Sequence, residues 1–135
     1  MGKAKLYEAE NPAQLTILTW SLNFHLARIA VENLSKEGIY ADILDLRTLK
    51  PVDSEAIFKA AQKTHRLLIL QEGTPVASYG SWLSHHIQEI AFDELDAPVS
   101  LVSADDVPMP YTFSLEPKVL PNIDKVINAA KTLVG

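Results

Sequence analysis

Apolar residues fall along this chain in two alternating rhythms: short dense runs, and longer stretches whose apolar positions recur with helical spacing. The dense runs lie at 15–20 (Leu-Thr-Ile-Leu-Thr-Trp), 41–46 (Ala-Asp-Ile-Leu-Asp-Leu), 66–71 (Arg-Leu-Leu-Ile-Leu-Gln) and 99–103 (Val-Ser-Leu-Val-Ser). Runs that are nearly continuous rather than alternating fit strands covered on both faces, as in a parallel sheet. Between them the pattern predicts helices over 21–37, 53–63, about 78–95 and 122–134. Ser21 is placed to cap the first, and Gly38 stands where a C′ glycine belongs. Asp53 is a good N-cap for the second, with Glu55 in the first turn where the helix dipole favours an anion. Pro51 stops whatever precedes it, because proline lacks an N–H and restricts its neighbour.

Two segments show no period. Residues 1–12 are polar and read as a tail or linker, which leaves 13–135 as the folded domain. Residues 104–121 hold Pro108, Pro110, Pro117 and Pro121; a loop this long inside a compact domain is usually functional or tied down by packing. Strands alternating with helices give an α/β fold: three layers, a mainly parallel sheet, helices on both faces.

Two helices carry more apolar surface than a sheet can cover. On the first, Leu22, Leu26, Ile29 and Ala30 make one stripe and Phe24, Ala27, Val31 and Leu34 another. A surface helix needs a single stripe about 100° wide. Either the tail or a loop lies over the second stripe, or it meets another subunit. On the third helix, Trp82, His85, Glu89 and Phe92 lie off the inner face of Tyr79, Leu83, His86, Ile87 and Ile90. Large aromatics away from the core suit a contact patch, unless loops cover them. The candidate subunit-contact residues are therefore Leu22, Leu26, Ile29, Trp82 and Phe92.

Composition narrows the function classes. Hydrophobic residues make up 47% and charged residues 21% of 135, as in a globular domain. The net charge of −5, without a basic cluster, argues against nucleic acid or an anionic membrane and favours a basic partner. With no cysteine there is no disulfide, thiolate nucleophile or cysteine metal site. No apolar run is long enough to span a bilayer. The first ten residues hold no signal-peptide core, so the expected location is the cytoplasm, or the mitochondrial matrix in a eukaryote.

The search for chemistry finds little. No G-x-G-x-x-G or G-x-x-x-x-G-K-[ST] follows a strand, and no G-x-S-x-G is present. Ser21 at a helix start has the position for an anion site, although a plain N-cap explains it. Asp42, Asp45, Asp105 and Asp106 suggest a metal or a phospho-acceptor, but the first strand ends in Thr19-Trp20-Ser21 without the clustered acids such a module needs. Adjacent His85 and His86 point about 100° apart on a helix and cannot share a metal. His86 reads as a packed histidine with one hydrogen-bond partner, and His25 as solvated. The residues suggest no catalytic, cofactor-binding or metal set.

A pattern of ordered motifs does emerge. "Gly-Lys-Ala-Lys" stands at 2–5, "Leu-Ser-Lys-Glu-Gly-Ile" at 34–39, "Asp-Leu-Arg-Thr-Leu-Lys-Pro-Val-Asp" at 45–53 and "Glu-Gly" at 72–73. "Leu-Asp-Ala-Pro-Val" at 95–99, "Asp-Val-Pro-Met-Pro-Tyr" at 106–111, "Leu-Glu" at 115–116 and "Leu-Pro" at 120–121 complete it. Together they resemble the C-terminal domain of the beta subunit of thiamin-diphosphate-dependent 2-oxo-acid dehydrogenases, the pyruvate type more than the branched-chain type. The resemblance implies a transketolase C-terminal fold, with five strands of which one is antiparallel; the fifth is expected within 104–121. It also implies an assembly domain. Thiamin diphosphate, magnesium and the catalytic residues would sit in the alpha subunit and in the beta subunit's other domain, leaving no complete active site here.

The implied partners are a second beta subunit, the alpha subunit and the subunit-binding domain of the dihydrolipoyl acyltransferase, within a homodimer or heterotetramer. In that family the acid of the Leu-acid-Ala-Pro motif pairs with a basic residue of the acyltransferase, and here it is Asp96. The family's C-terminal carboxylate assists, but this sequence ends at Gly135, about one residue short. One departure is Ser78-Tyr79-Gly80-Ser81-Trp82, where a tryptophan replaces the family's usual glutamate. The reading that competes with an assembly domain is a stand-alone flavodoxin-like ligand-binding module.

Overall fold

The computed structural model describes residues 2–72, 78–103 and 122–135. Among the described residues, five strands form one sheet: β1 (Lys5–Tyr7), β2 (Leu15–Thr19), β3 (Ala41–Asp45), β4 (Leu67–Leu70) and β5 (Ser100–Val102). Their order is β1-β3-β2-β4-β5. β2 pairs in parallel with both β3 and β4, β5 joins β4 in parallel, and only β1 runs antiparallel, with Leu6 opposite Leu44. The helices are α1 (Asn23–Lys36), α2 (Ser54–Thr64), α3 (Tyr79–Ala91) and α4 (Ile123–Val134).

Alternation along the strands sends neighbouring residues to opposite faces. Leu15, Ile17, Ile43, Leu68 and Leu70 pack with Ala27, Ala30 and Leu34 of α1 and with Val126 and Ala130 of α4. Leu18, Leu44, Leu67 and Ile69 pack with Ile57, Ala60 and Ala61 of α2 and with Leu83 and Ile87 of α3. This gives the three layers expected. The central strands are buried on both sides, which is why their sequences lack polar alternation. Two threonines in β2 are buried and paired: Thr16 Oγ1 lies 2.9 Å from Thr64 Oγ1, and Thr19 donates to the Leu70 carbonyl at 3.2 Å.

Two sequence expectations are corrected. Residues 1–12 are not simply a tail, because Lys5–Tyr7 is the antiparallel strand of the five. The segment 104–121, where the resemblance places the fifth strand, lies outside the described residues. β1 stays on the sheet edge because two aspartates grip its flanks. Ala4 N donates to Asp53 Oδ2 at 2.9 Å, and Ala9 N donates to Asp42 Oδ1 at 2.9 Å. Asp42 is 1% exposed, and Lys63 Nζ lies 2.7 Å from its other oxygen as an ion pair.

The second correction is Ser21, which does not cap α1. Its φ is +57°, the N-cap position falls on Leu22, and no side chain bonds there. A tight turn out of β2 takes precedence over a serine cap. Asp53 caps α2 as predicted, accepting from Ala56 N at 3.1 Å. Ser78 and Asn122 likewise accept from Ser81 N and Lys125 N at the starts of α3 and α4. Gly38 has φ +80°, the left-handed conformation a C′ glycine supplies.

Candidate docking and contact surfaces

Open parallel sheets bind ligands beyond the carboxyl ends of their strands, where the strand order reverses. Here that point lies between β2 and β4. The described residues there engage one another. The Trp20 ring meets Tyr79 edge-on at 5.4 Å, and the Tyr79 hydroxyl donates to the Leu49 carbonyl at 2.6 Å. Burial pushes the Tyr79 phenol above its ordinary pKa. Buried Gln71 spans from β4 to the start of α3: its Nε2 donates to Ser78 Oγ at 2.9 Å, and its Oε1 accepts from Gly80 N at 2.7 Å. Among the described residues, no three of His, Asp and Glu converge in a way that would hold a metal ion.

Asp96 sits at the opposite end of the sheet, just ahead of β5. A single 3-10 turn, Phe92–Glu94, ends α3, and Leu95 N closes onto the Phe92 carbonyl at 3.2 Å. The chain is then clipped to the corner between α2 and β4. Asp96 N donates to the His65 carbonyl at 2.8 Å. His65 Nδ1 lies 2.7 Å from the Glu94 carbonyl, and a carbonyl only accepts, so that nitrogen carries the proton. His65 itself has φ +60°, a left-handed residue closing α2. The Asp96 side chain is 56% exposed, with its Oδ2 4.0 Å from the Arg66 guanidinium. Beside it opens a groove of about 550 Å³ lined by Ser84, Gln88, Phe92, Leu95, Pro98 and Val99, with Asp93 and Asp96 also on its wall.

The predicted contact residues separate into two surfaces. Leu22 is 76% exposed and Ile29 is also exposed, both on the side of the sheet that carries α1 and α4. Leu26 lies half-buried against that core and is less available than the other two. Trp82 and Phe92 are exposed on the other side, with α2 and α3. The fold therefore brings Phe92 to Asp96 and keeps the Leu22–Ile29 stripe away from both. His86 is packed as expected: its ring stacks on Trp82 at 4.9 Å and its Nε2 lies 2.8 Å from Ser54 Oγ. His25 is exposed.

Sequence reasoning missed His65 and Arg66, which hold and face Asp96. It weighed Asp42 only as a metal or phospho-acceptor candidate and missed that it holds Ala9 N beside the N-terminal strand and pairs with Lys63. Their signal is tertiary: each acts on a residue about twenty or more positions away, and no periodicity reports that.

Residues 2–126 match the family described as "Transketolase, C-terminal domain". The chain belongs to that family. This transketolase C-terminal domain is 41% identical over 130 residues to the pyruvate dehydrogenase E1 component subunit beta of Rickettsia bellii, covering 96% of this chain and 39% of that protein. The subunit of the same name from Rhizobium meliloti is 35% identical, over 98% of this chain and 28% of that one. The mitochondrial one from Caenorhabditis elegans is 38% identical, over 97% and 37%. The domain thus spans roughly two fifths or less of the curated relatives it matches. Among solved structures, "Split gene transketolase, inactive beta4 tetramer" superposes with a TM-score of 0.82 at 25% identity, over 98% of this chain and 42% of that one. A 2-oxoglutarate:ferredoxin oxidoreductase from Magnetococcus marinus, at 16% identity and TM-score 0.67 over 98% and 20%, shares the fold.

Proposed function

We propose that this chain is the C-terminal assembly domain of a pyruvate dehydrogenase E1 beta subunit. In the assembled complex it would contribute subunit contacts and dock the dihydrolipoyl acyltransferase through Asp96. The observation that carries the reading is the run of relatives bearing that subunit's name, 35–41% identical across nearly the whole chain, from bacteria to a nematode. The parent enzyme would decarboxylate a 2-oxo acid and pass the acyl group to lipoamide. Its thiamin diphosphate and magnesium would be held outside this domain. The name those relatives share favours this reading over a flavodoxin-like ligand module. The location would be the cytoplasm in a bacterium, or the mitochondrial matrix, as the name of the nematode relative states for that protein.

Exposure and a fixed backbone support Asp96 as the docking carboxylate. A charged group at an interface rim that pairs with Lys or Arg steers association and sets register. The test is to titrate the chain with the subunit-binding domain of a dihydrolipoyl acyltransferase. We expect saturable binding that Asp96→Ala weakens; unchanged affinity overturns the docking role. The chain alone is expected to turn over no 2-oxo acid, and measurable turnover would overturn its assignment as an assembly domain.

A further inference from the structure

We propose that residues 2–13 form a detachable strap, latched near its two ends by the carboxylates of Asp53 and Asp42. The strap opens as one unit while the rest of the fold stays closed, and so decides whether the outer edge of β3 and a groove along α1 are covered.

Burial marks the strap off from the body. None of residues 2–13 is buried, whereas every residue from Leu15 to Thr19 is. Its strand has three residues, of which Lys5 and Leu6 are exposed and Tyr7 is half-buried. Apolar contact with the core comes from Ala4 and from Tyr7, whose ring lies 4.7 Å from that of Phe24. A segment with so few buried apolar contacts opens at a lower free energy than the whole domain. At Gln14 the hold changes: its N donates to the Tyr40 carbonyl at 2.8 Å, and its Oε1 accepts from Tyr40 N at 3.1 Å. That two-way clamp places the hinge ahead of Gln14.

The groups that close the strap belong to the body. Asp42 is buried in β3, with Lys63 Nζ 2.7 Å from one oxygen, and its other oxygen accepts from Ala9 N at 2.9 Å. Asp53 caps α2 through one oxygen, and its other accepts from Ala4 N at 2.9 Å. Hydrogen bonds to a carboxylate are roughly twice as strong as those between neutral groups. The Glu8–Lys63 pair, at 3.9 Å and partly exposed, adds little. Two latches on one short segment act together, because each keeps the other's donor within reach. Losing either one therefore loosens both ends. Opening takes away Tyr7, Glu8 and Glu10, which form one wall of a groove of about 650 Å³ against Arg28, Ile29 and Glu32 of α1. It also leaves β3 an edge strand, with a row of N–H and C=O groups that no strand pairs.

The test is residue-resolved hydrogen exchange by NMR on the whole chain, with circular dichroism to confirm folding. In the wild type, the amides of Ala4 and Ala9 should exchange at least about a hundredfold faster than those of Ile17 and Ile69 in the central strands, as sub-global opening requires. Asp53→Asn isolates the first latch. Asparagine has one acceptor oxygen in place of two, and the cap at α2, where asparagine is favoured, retains it. That variant should speed exchange at Ala4 and at Ala9 alike, about tenfold, and leave Ile17 and Ile69 unchanged. Asp42→Ala, acting from the other end, should do the same. Equal exchange at all four amides in the wild type would mean that the strap opens only with the whole domain, which overturns the proposal. Acceleration at Ala4 without Ala9 in Asp53→Asn would mean fraying rather than release of a unit, and overturns it too. So does acceleration of all four amides by one factor. If either variant fails to fold, Tyr7→Ala, which loosens the strap through Phe24 instead, tests the same coupling with the same expected pattern.

Discussion

Asp53 joins the start of α2 to the residue that leads into β1: one carboxylate oxygen accepts from Ala56 N at 3.1 Å and the other from Ala4 N at 2.9 Å. Burial by itself would raise the pKa of this carboxyl. The two backbone N–H groups, with Lys3 and Lys59 nearby, outweigh burial and hold it below the ordinary aspartate value. A depressed carboxylate stabilises the fold above its unfolded pKa, and that contribution is lost as pH falls through the folded one. Asp53→Ala should cost about 1–2 kcal/mol near neutrality, the usual loss for an N-cap plus a tether. The gap between variant and wild type should narrow as pH falls from about 5 to below the ordinary aspartate value of about 3.9. Urea unfolding at several pH values checks this, and a gap that widens toward acid contradicts it.

The pair Asp42 and Lys63 should respond asymmetrically. Asp42 is buried, while the Lys63 side chain is 42% exposed. Removing the lysine strands a carboxylate whose second oxygen, Oδ2, has no hydrogen-bond donor. Lys63→Met is expected to cost about 2 kcal/mol, less than for a fully buried pair because water reaches the lysine end. Asp42→Asn keeps an acceptor for Ala9 N without the charge, so the double variant should recover part of the loss. A double-mutant cycle measures the coupling. Simple additivity would mean that the ion pair contributes nothing to the fold.

Asp53 and Asp42 also mark where sequence legibility stops. The α/β class, four of the five strands and the cap at Asp53 are carried by local pattern, because periodicity and caps involve residues a turn apart. β1 is not legible. Three residues, Lys5, Leu6 and Tyr7, offer no period, and what holds them are side chains from β3 and α2 far along the chain. Ser21 misled for the opposite reason: a strong local preference lost to the geometry of the turn. At the proposed docking site, a motif singles out Asp96 as an expectation. The groove beside it is not legible, since it arises only when the end of α3 meets the corner at His65 and Arg66.

Gly80 should tolerate no side chain. A Cβ there would lie 2.7 Å from Gln71 Cδ and 2.9 Å from Leu101 Cδ1, closer than real Cβ atoms approach. Gln71 is buried and bonded to the same turn, so it has little room to retreat. Gly80→Ala should cost about 2 kcal/mol, in the range for overpacking a core. Gln71→Ala removes the clash with Gln71 but not the one with Leu101, and it also removes the Gly80 N bond, so adding it should restore only part of the loss. Thermal unfolding of the three variants decides; a stable Gly80→Ala would mean that Gln71 and Leu101 both give way.

The two apolar surfaces lie on opposite sides of the sheet, so substitution can separate their roles in self-association. Trp82 stacks on His86 from an exposed position, and Leu22 stands almost clear of the fold. If α3 forms the contact with a second copy, Trp82→Ala should abolish the rise of sedimenting mass with concentration, while Leu22→Ser has no effect. If α1 forms it, the outcomes exchange. In either case stability should change by less than about 1 kcal/mol, because exposed side chains contribute little to the core. A wild-type chain that stays monomeric at all accessible concentrations would rule out both surfaces as self-association sites.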